Sequence, residues 1–261
     1  MIFSPSLDAV FRGSSLSLEQ RIETVARCGY RAFEIWGWSE QTVQTIVLAK
    51  ERHDLTLASM CTRMVSLVDP AQRGAYIAGL RESIAAARTL GCRFLITQTG
   101  NELSGVPRER QRQTMIEGLE MCAPYLEEAG VTLIVEPLNT KVNHPGHYLV
   151  HAAEAFEVAA AVDSPHVKVV YDIYHQQISE GDLIPTIRAG IGHIAYFHAA
   201  DHPGRNEPGT GEIHYPNVLE AIRQTGYTGY VGLEYFPLGD PEASLLAVKG
   251  ELCARFETAN G

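Results

Sequence analysis

The sequence predicts a single (β/α)8 barrel over residues 1–261. Three observations predict it. Short apolar stretches with strand character alternate with helical stripes eight times without interruption, which argues for a parallel sheet and, at eight units, for its closure. The four strand candidates of the carboxyl half each end in a carboxylate or an imidazole, and a parallel barrel gathers such ends on one rim. A chain of 261 residues also suits such a barrel. A doubly wound open sheet is the competing architecture.

The elements follow in order. Ile2–Ser6 is a short apolar strand, and the residues up to Ser15 read as a loop. Leu16–Cys28 sets Leu18, Ile22, Val25 and Ala26 on one helical face and stops at Gly29. Ala32–Trp36 is the second strand, Glu40–His53 the second helix and Leu55–Met60 the third strand. Pro70 starts a helix running to Leu90 before Gly91, and Cys92–Thr97 is the fourth strand. Pro107 opens the fourth helix, which ends at Gly130. The fifth strand, V-T-L-I-V from Val131, runs into Glu136, and Pro137 then bars further pairing. After a loop rich in His and Pro come a helix at Val150–Val162 and the sixth strand, Val167–Asp172. A shorter helix lies in Gly181–Ala189, and the seventh strand is Ile191–Ala199. The next loop, D-H-P-G-R-N-E-P-G-T-G-E-I, is too rich in Gly and Pro for regular structure and looks flexible. Tyr215–Gln224, Tyr230–Tyr235 and Pro241–Glu257 complete the series as helix, strand and helix.

Composition narrows the class. With 45% apolar and 20% charged residues there is material for a sizeable core. A net charge of −10 disfavours a nucleic-acid backbone or an anionic membrane as partner, and no stretch is long enough to span a bilayer. Cys28, Cys61, Cys92, Cys122 and Cys253 are odd in number and contain no C-x-x-C pair, so they read as reduced thiols of a cytoplasmic protein.

The strand ends carry the chemistry. Side chains alternate along a strand, so an inward Glu136 takes Ile134 and Thr132 with it and leaves Val131, Leu133 and Val135 facing the helices. Asp172 leaves Val167, Val169 and Tyr171 outside in the same way; Glu234 leaves Val231, Leu233 and Tyr235. The opposite register would drive carboxylates into the sheet–helix core. His198 puts Tyr196 and Ile194 inside. Singly, Glu136 reads as a rim charge, Asp172 as an N-cap and His198 as a core histidine. Jointly, Glu136, Asp172, His198 and Glu234 sit at successive strand ends, where three uncompensated anions would repel one another. One divalent cation removes the problem. Oxygen ligands with one imidazole suit Mn²⁺ or Mg²⁺, and admit Co²⁺ or Zn²⁺.

On E-P-L-N (Glu136–Asn139), D-I-Y-H (Asp172–His175), H-P-G-R-N-E-P-G-T-G-E-I (His202–Ile213) and G-Y-V-G-L-E-Y (Gly229–Tyr235), the chain resembles the hydroxypyruvate isomerase and ketose 3-epimerase branch of the xylose-isomerase-like barrel superfamily. The resemblance runs along the whole chain and is more specific in its carboxyl half. It implies that Glu136, Asp172, His198 and Glu234 bind the metal. It also implies that Glu136 and Glu234 form the acid/base pair, and that His175 and Arg205 contact substrate. Hydroxypyruvate isomerases tend to carry Gln where this chain has His198, as ketose 3-epimerases carry His, whereas E-P-L-N and P-G-R-N-E-P-G-T-G-E look more like the former.

The implied reaction is proton removal from a carbon beside a carbonyl, through an enediolate, on a small-molecule substrate. The first reading is interconversion of hydroxypyruvate and tartronate semialdehyde. Ketose 3-epimerisation, of the D-tagatose, D-allulose or L-ribulose type, is the alternative; the catalytic subunit of a C-glycoside-cleaving enzyme is a third. Arg205 suits a substrate carboxylate, against pairing with Glu207 or Glu212. His175 suits a substrate oxygen, or the orientation of a ligand. Trp36 and Trp38 are candidates to wall the pocket, and His144 and His147 to touch substrate; Glu34 is given no role. The resemblance further suggests a homodimer or homotetramer.

Overall fold

Eight short, mostly buried stretches form one parallel sheet in the computed structural model, which describes residues 1–257. The strands are β1 (Ile2–Pro5), β2 (Ala32–Ile35), β3 (Thr56–Cys61), β4 (Phe94–Thr97), β5 (Thr132–Val135), β6 (Val167–Asp172), β7 (Ile194–Ala199) and β8 (Tyr230–Leu233). Each pairs with its sequence neighbour from β2 round to β8, and β8 pairs with β1. A single parallel bridge between Ser6 and Glu34 links β1 to β2, so the barrel is nearly closed. The expected domain extends to residue 261; residues 258–261 lie outside those described.

The helices are α1 (Leu7–Val10), α2 (Leu18–Arg27), α3 (Glu40–Arg52), α4 (Arg73–Leu90), α5 (Arg108–Ala129), α6 (Ala152–Val162), α7 (Ile173–Ser179), α8 (Leu183–Gly190), α9 (Tyr215–Gln224) and α10 (Pro241–Glu251). Two of them were not expected as helices. Residues 7–10, read as loop, form α1 because Ser6 caps it, its hydroxyl accepting the Ala9 N–H. Ile173–Ser179 forms α7 immediately after β6, capped by Asp172. The stops at Gly91 and Gly130 hold: both are left-handed C-caps, a conformation that favours glycine. The last helix ends at Glu251, short of the expected Glu257, and a 3₁₀ turn at Cys253–Arg255 follows.

Two cores result. The outer one, between sheet and helices, takes Val131, Leu133, Val135, Val167, Val169, Tyr171, Val231, Leu233 and Tyr235, as the strand registers require. The inner one fills the barrel with Ala32, Ala58, Ile96, Ile134, Val170 and Tyr196. Ile194, expected inside with Tyr196, belongs to the outer core. The cause is a register shift in which Val169 pairs with Ile194 and Val170 with Tyr196, so Ala195 is the extra residue and the alternation slips by one. All five cysteines are buried and free.

The inner core ends in polar groups. On β8, a methyl group at Gly232 would stand 2.4 Å from Glu34 Oε2 and 2.5 Å from His198 Cδ2. The barrel has no room for it there. Gly232→Ala is therefore expected to lower stability by about 1–3 kcal/mol in urea titration. An unchanged midpoint would contradict this packing.

Candidate metal centre and active site

The sheet register sets the site. Asp172 is paired with His198 across β6 and β7, and His198 with Gly232 across β7 and β8, so these residues share one level of the barrel. Glu136 and Glu234 come one residue after β5 and β8. Their backbone N–H groups still donate along the ladder, to Thr97 O at 3.0 Å and Ala199 O at 3.1 Å. All four side chains are buried, and one ligand atom from each lies within 4.8 Å of the others. His198 Nδ1 stands 3.5 Å from Glu136 Oε1, 3.5 Å from Glu234 Oε2 and 4.0 Å from Asp172 Oδ2.

Each neighbour has a definite task. Asp172 divides its oxygens: Oδ1 accepts the His175 N–H at 3.1 Å and caps α7, while Oδ2 faces the cluster. The N-cap and the rim carboxylate are thus one residue in both capacities. Glu234 Oε1 accepts the Trp36 indole N–H at 2.5 Å, and its Oε2 accepts from the Arg205 guanidinium. Arg205 pairs with neither Glu207 nor Glu212 but with Glu234, and it also lies 3.8 Å from Asp172 Oδ2. His175 Nδ1 accepts the Asn139 backbone N–H at 3.1 Å. A neutral ring therefore carries its proton on Nε2, which is buried, unbonded and 3.6 Å from Asp172 Oδ2.

Burial and charge pull these groups apart. Burial pushes the Asp172 carboxyl up to about 7, although Arg205 and His198 draw it down. Glu136 is likewise raised by burial, against the pull of His198. Burial acts on Glu234 too, but Arg205, His198 and Trp36 outweigh it and hold that carboxyl below its ordinary range. Burial opposes charge on His198; Glu34, Glu234 and Glu136 reverse the balance and raise it well above the usual histidine value. His175 is held well below its usual value by burial and by Arg205, hence neutral.

The donor set fits a hard divalent cation. Glu136 Oε1 and both ring nitrogens of His198 are buried without a hydrogen-bond partner, and Nδ1 lies within 4.0 Å of all three carboxylates. Three carboxylates and one imidazole around a common point are the ligand types that Mn²⁺ or Mg²⁺ accepts.

Above the cluster opens a cavity of about 240 Å³ lined by Glu136, Glu234, Arg205, His175, His144 and Trp36, with Cys61, Met64, Ile96, Gln98 and Leu138 completing its wall. Asp172 and His198 sit below and do not line it. Trp38 and His147 are also outside its lining: the Trp38 indole donates to Cys61 O at 3.2 Å, and His147 bonds Thr99.

Sequence reasoning overlooked two carboxylates. Glu34, given no role, is buried with Oε2 3.3 Å from His198 Nε2. The available signal was an acid at the inward third position of A-F-E-I, in register with Ala32. Asp201 is the other. It accepts the N–H groups of His202 at 2.9 Å, Ile213 at 3.1 Å and Gly209 at 2.7 Å, and so ties down the loop that looked flexible. That loop holds Arg205 at a φ of 58°, with its carbonyl accepting the Phe236 N–H at 2.7 Å.

Comparison with known proteins agrees with the fold. The family model for the xylose isomerase-like TIM barrel matches residues 22–249. The chain is 30% identical over 252 residues to hydroxypyruvate isomerase of Escherichia coli K12, spanning 93% of this chain and 96% of that one. A solved structure titled AP endonuclease, family 2, from Brucella melitensis superposes with a TM-score of 0.89 at 28% identity, over 96% of this chain and 98% of the other. D-psicose 3-epimerase of Clostridium cellulolyticum H10, solved with D-tagatose, shares the fold at a TM-score of 0.85 and 19% identity, over 99% of this chain and 100% of that one.

The raised Asp172 gives a signed pH dependence. Because its folded value of about 7 exceeds the ordinary 3.8, the folded protein holds an extra proton between those limits, and this group's contribution to stability falls as pH rises through them. In EDTA, Asp172→Asn should therefore be more stable than the parent at pH 8, by up to about 4 kcal/mol, with the gap closing toward pH 4. The amide still caps α7. A parent at least as stable as the variant at pH 8 would refute the burial argument.

Proposed function

The chain belongs to the xylose isomerase-like TIM barrel family, and from that premise we propose that it is a divalent-metal-dependent isomerase converting hydroxypyruvate to tartronate semialdehyde. The observation that carries this reading is that Glu136 and Glu234 line one cavity together with a guanidinium, Arg205. Similarity to hydroxypyruvate isomerase across nearly the whole chain supports the same substrate class.

In this reading Glu136, Asp172, His198 and Glu234 hold one cation, Mn²⁺ or Mg²⁺ before Co²⁺ or Zn²⁺. When bound, it stabilises the negative charge that develops on the oxygens of the substrate's carbonyl and adjacent hydroxyl. The protein's own groups do the rest. One of the two glutamates takes the proton from the hydroxyl-bearing carbon beside the carbonyl, and the hydroxyl proton on that carbon passes to the former carbonyl oxygen. The other glutamate gives a proton to the carbon that bore the carbonyl. Arg205, while it holds Glu234, donates a remaining guanidinium N–H to the substrate carboxylate. His175, with its proton fixed on Nε2, donates to a substrate oxygen. Trp36 closes one wall against water while holding Glu234 through its indole, and His144 contributes a further polar contact.

A second reading, ketose 3-epimerisation, is favoured by one residue, His198 in the ligand set. It uses the same groups and returns the proton to the opposite face of the carbon. A nuclease reading has less support. The charge of −10 repels a phosphate backbone, and among the described residues one four-member ligand cluster is found. We further propose a cytoplasmic homodimer or homotetramer acting on a small free substrate. Among the described residues no helix is long and apolar enough to cross a membrane.

Three outcomes test the proposal. In D₂O with Mn²⁺, NMR should show label entering the three-carbon skeleton of hydroxypyruvate; label at C3 of a hexulose instead would select the epimerase reading. Glu136→Gln and Glu234→Gln should each slow exchange by about 10²–10⁴-fold. Full-rate exchange in both would remove them from the mechanism. Arg205→Lys should raise KM for hydroxypyruvate by about tenfold or more, a loss of about 1.4 kcal/mol, with a smaller effect on any ketose turned over. Equal effects on acid and ketose would deny the guanidinium its carboxylate partner.

A further inference from the structure

The imidazole of His198 stands between two sets of carboxylates. Its Nδ1 faces Glu136, Asp172 and Glu234 at 3.5–4.0 Å, and its Nε2 faces Glu34 Oε2 at 3.3 Å on the barrel side. A neutral imidazole has one proton and one lone pair, so whichever nitrogen is protonated decides which side it can ligate.

Glu34 is built into the barrel as an acceptor. It is buried in β2 at the seam where Ser6 bridges to it. Its Oε2 is 2.8 Å from Tyr196 Oη and 3.1 Å from Ser59 Oγ, and Tyr196 Oη is also 2.7 Å from Ser4 Oγ. These hydroxyls come from β1, β3 and β7, so the carboxylate is steadied from three strands. Gly232 leaves the space through which Glu34 reaches His198. The proton-transfer chemistry above makes no use of Glu34.

We propose that Glu34 is a positioning residue: it accepts the Nε2–H of His198, fixes that tautomer and ring plane, and so leaves the Nδ1 lone pair aimed at the three rim carboxylates. The inference rests on the reading that these four side chains bind a divalent cation. A carboxylate behind a ligating histidine is a general device for orienting the ring and raising its basicity, and its loss typically lowers metal affinity about 10–100-fold.

Mn²⁺ titration followed by electron paramagnetic resonance tests it on the full chain, without reference to turnover. Glu34→Ala should weaken Mn²⁺ binding about 10–100-fold, and Glu34→Gln, which keeps an acceptor oxygen, should recover part of the loss. If both variants bind Mn²⁺ with the parent's Kd, or if the glutamine recovers nothing, Glu34 does not act through this hydrogen bond. Nitrogen-15 NMR of the parent with diamagnetic Mg²⁺ gives an answer that needs no variant to fold. His198 should show a protonated Nε2 and an unprotonated Nδ1, and the reverse would overturn the proposal. A parent that binds no Mn²⁺ would bring down the four-ligand reading and this inference together. Parent binding with unaffected variants would bring down this inference alone.

Discussion

Three carboxylates removed from water at the end of a barrel are the constraint on which the rest of the structure turns. Glu136, Asp172 and Glu234 are all buried, and two of them are pushed toward the protonated form by that burial. Isolated, such a cluster is a large desolvation cost with no return. Paired with a cation it becomes a concentrated field in a site of low polarity, where each electrostatic contact counts for more than in bulk water. Arg205, His198 and the Trp36 indole each soften part of the cost, yet Glu136 Oε1 and His198 Nδ1 still lack a partner.

The surroundings can be understood as support for that cluster at two depths. Below it, Glu34, Tyr196, Ser59 and Ser4 carry polar contacts down into the inner core. Above it, Asp201 pins the backbone of the loop that delivers Arg205, and Asn139 fixes the protonation of His175. The groups assigned to the chemistry line the cavity, whereas Asp172 and His198 are recessed beneath it. In the proposed reading, that division separates the side chains that only hold the cation from those that also touch substrate.

How much of this could be read in the sequence varied with the physics involved. The barrel and its rim were legible because strand alternation leaves few choices: Val131, Leu133 and Val135 have to face the helices, which turns Glu136 toward the rim. The register slip at Ala195 was not, since a bulge shifts Ile194 to the outer core without altering its apolar character. Helix α7 was missed because Asp172 was weighed as cap or rim carboxylate, when its two oxygens serve both. Glu34 was passed over for a different reason. Its partner His198 is distant in sequence and lies across the barrel, a contact that periodicity along one strand cannot report. Arg205 was placed near the site by its motif, but its partner Glu234 depends on a loop held by Asp201, and loop geometry leaves no periodic trace.

In the proposed reading, four side chains from β5 to β8 and their immediate ends share one divalent cation. Crystals grown with Mn²⁺ and measured on either side of the manganese absorption edge test it most directly. One strong anomalous peak per chain is expected, within ligand distance of Glu136, Asp172, His198 and Glu234. A peak elsewhere, or none at that point with the four side chains ordered, would contradict it.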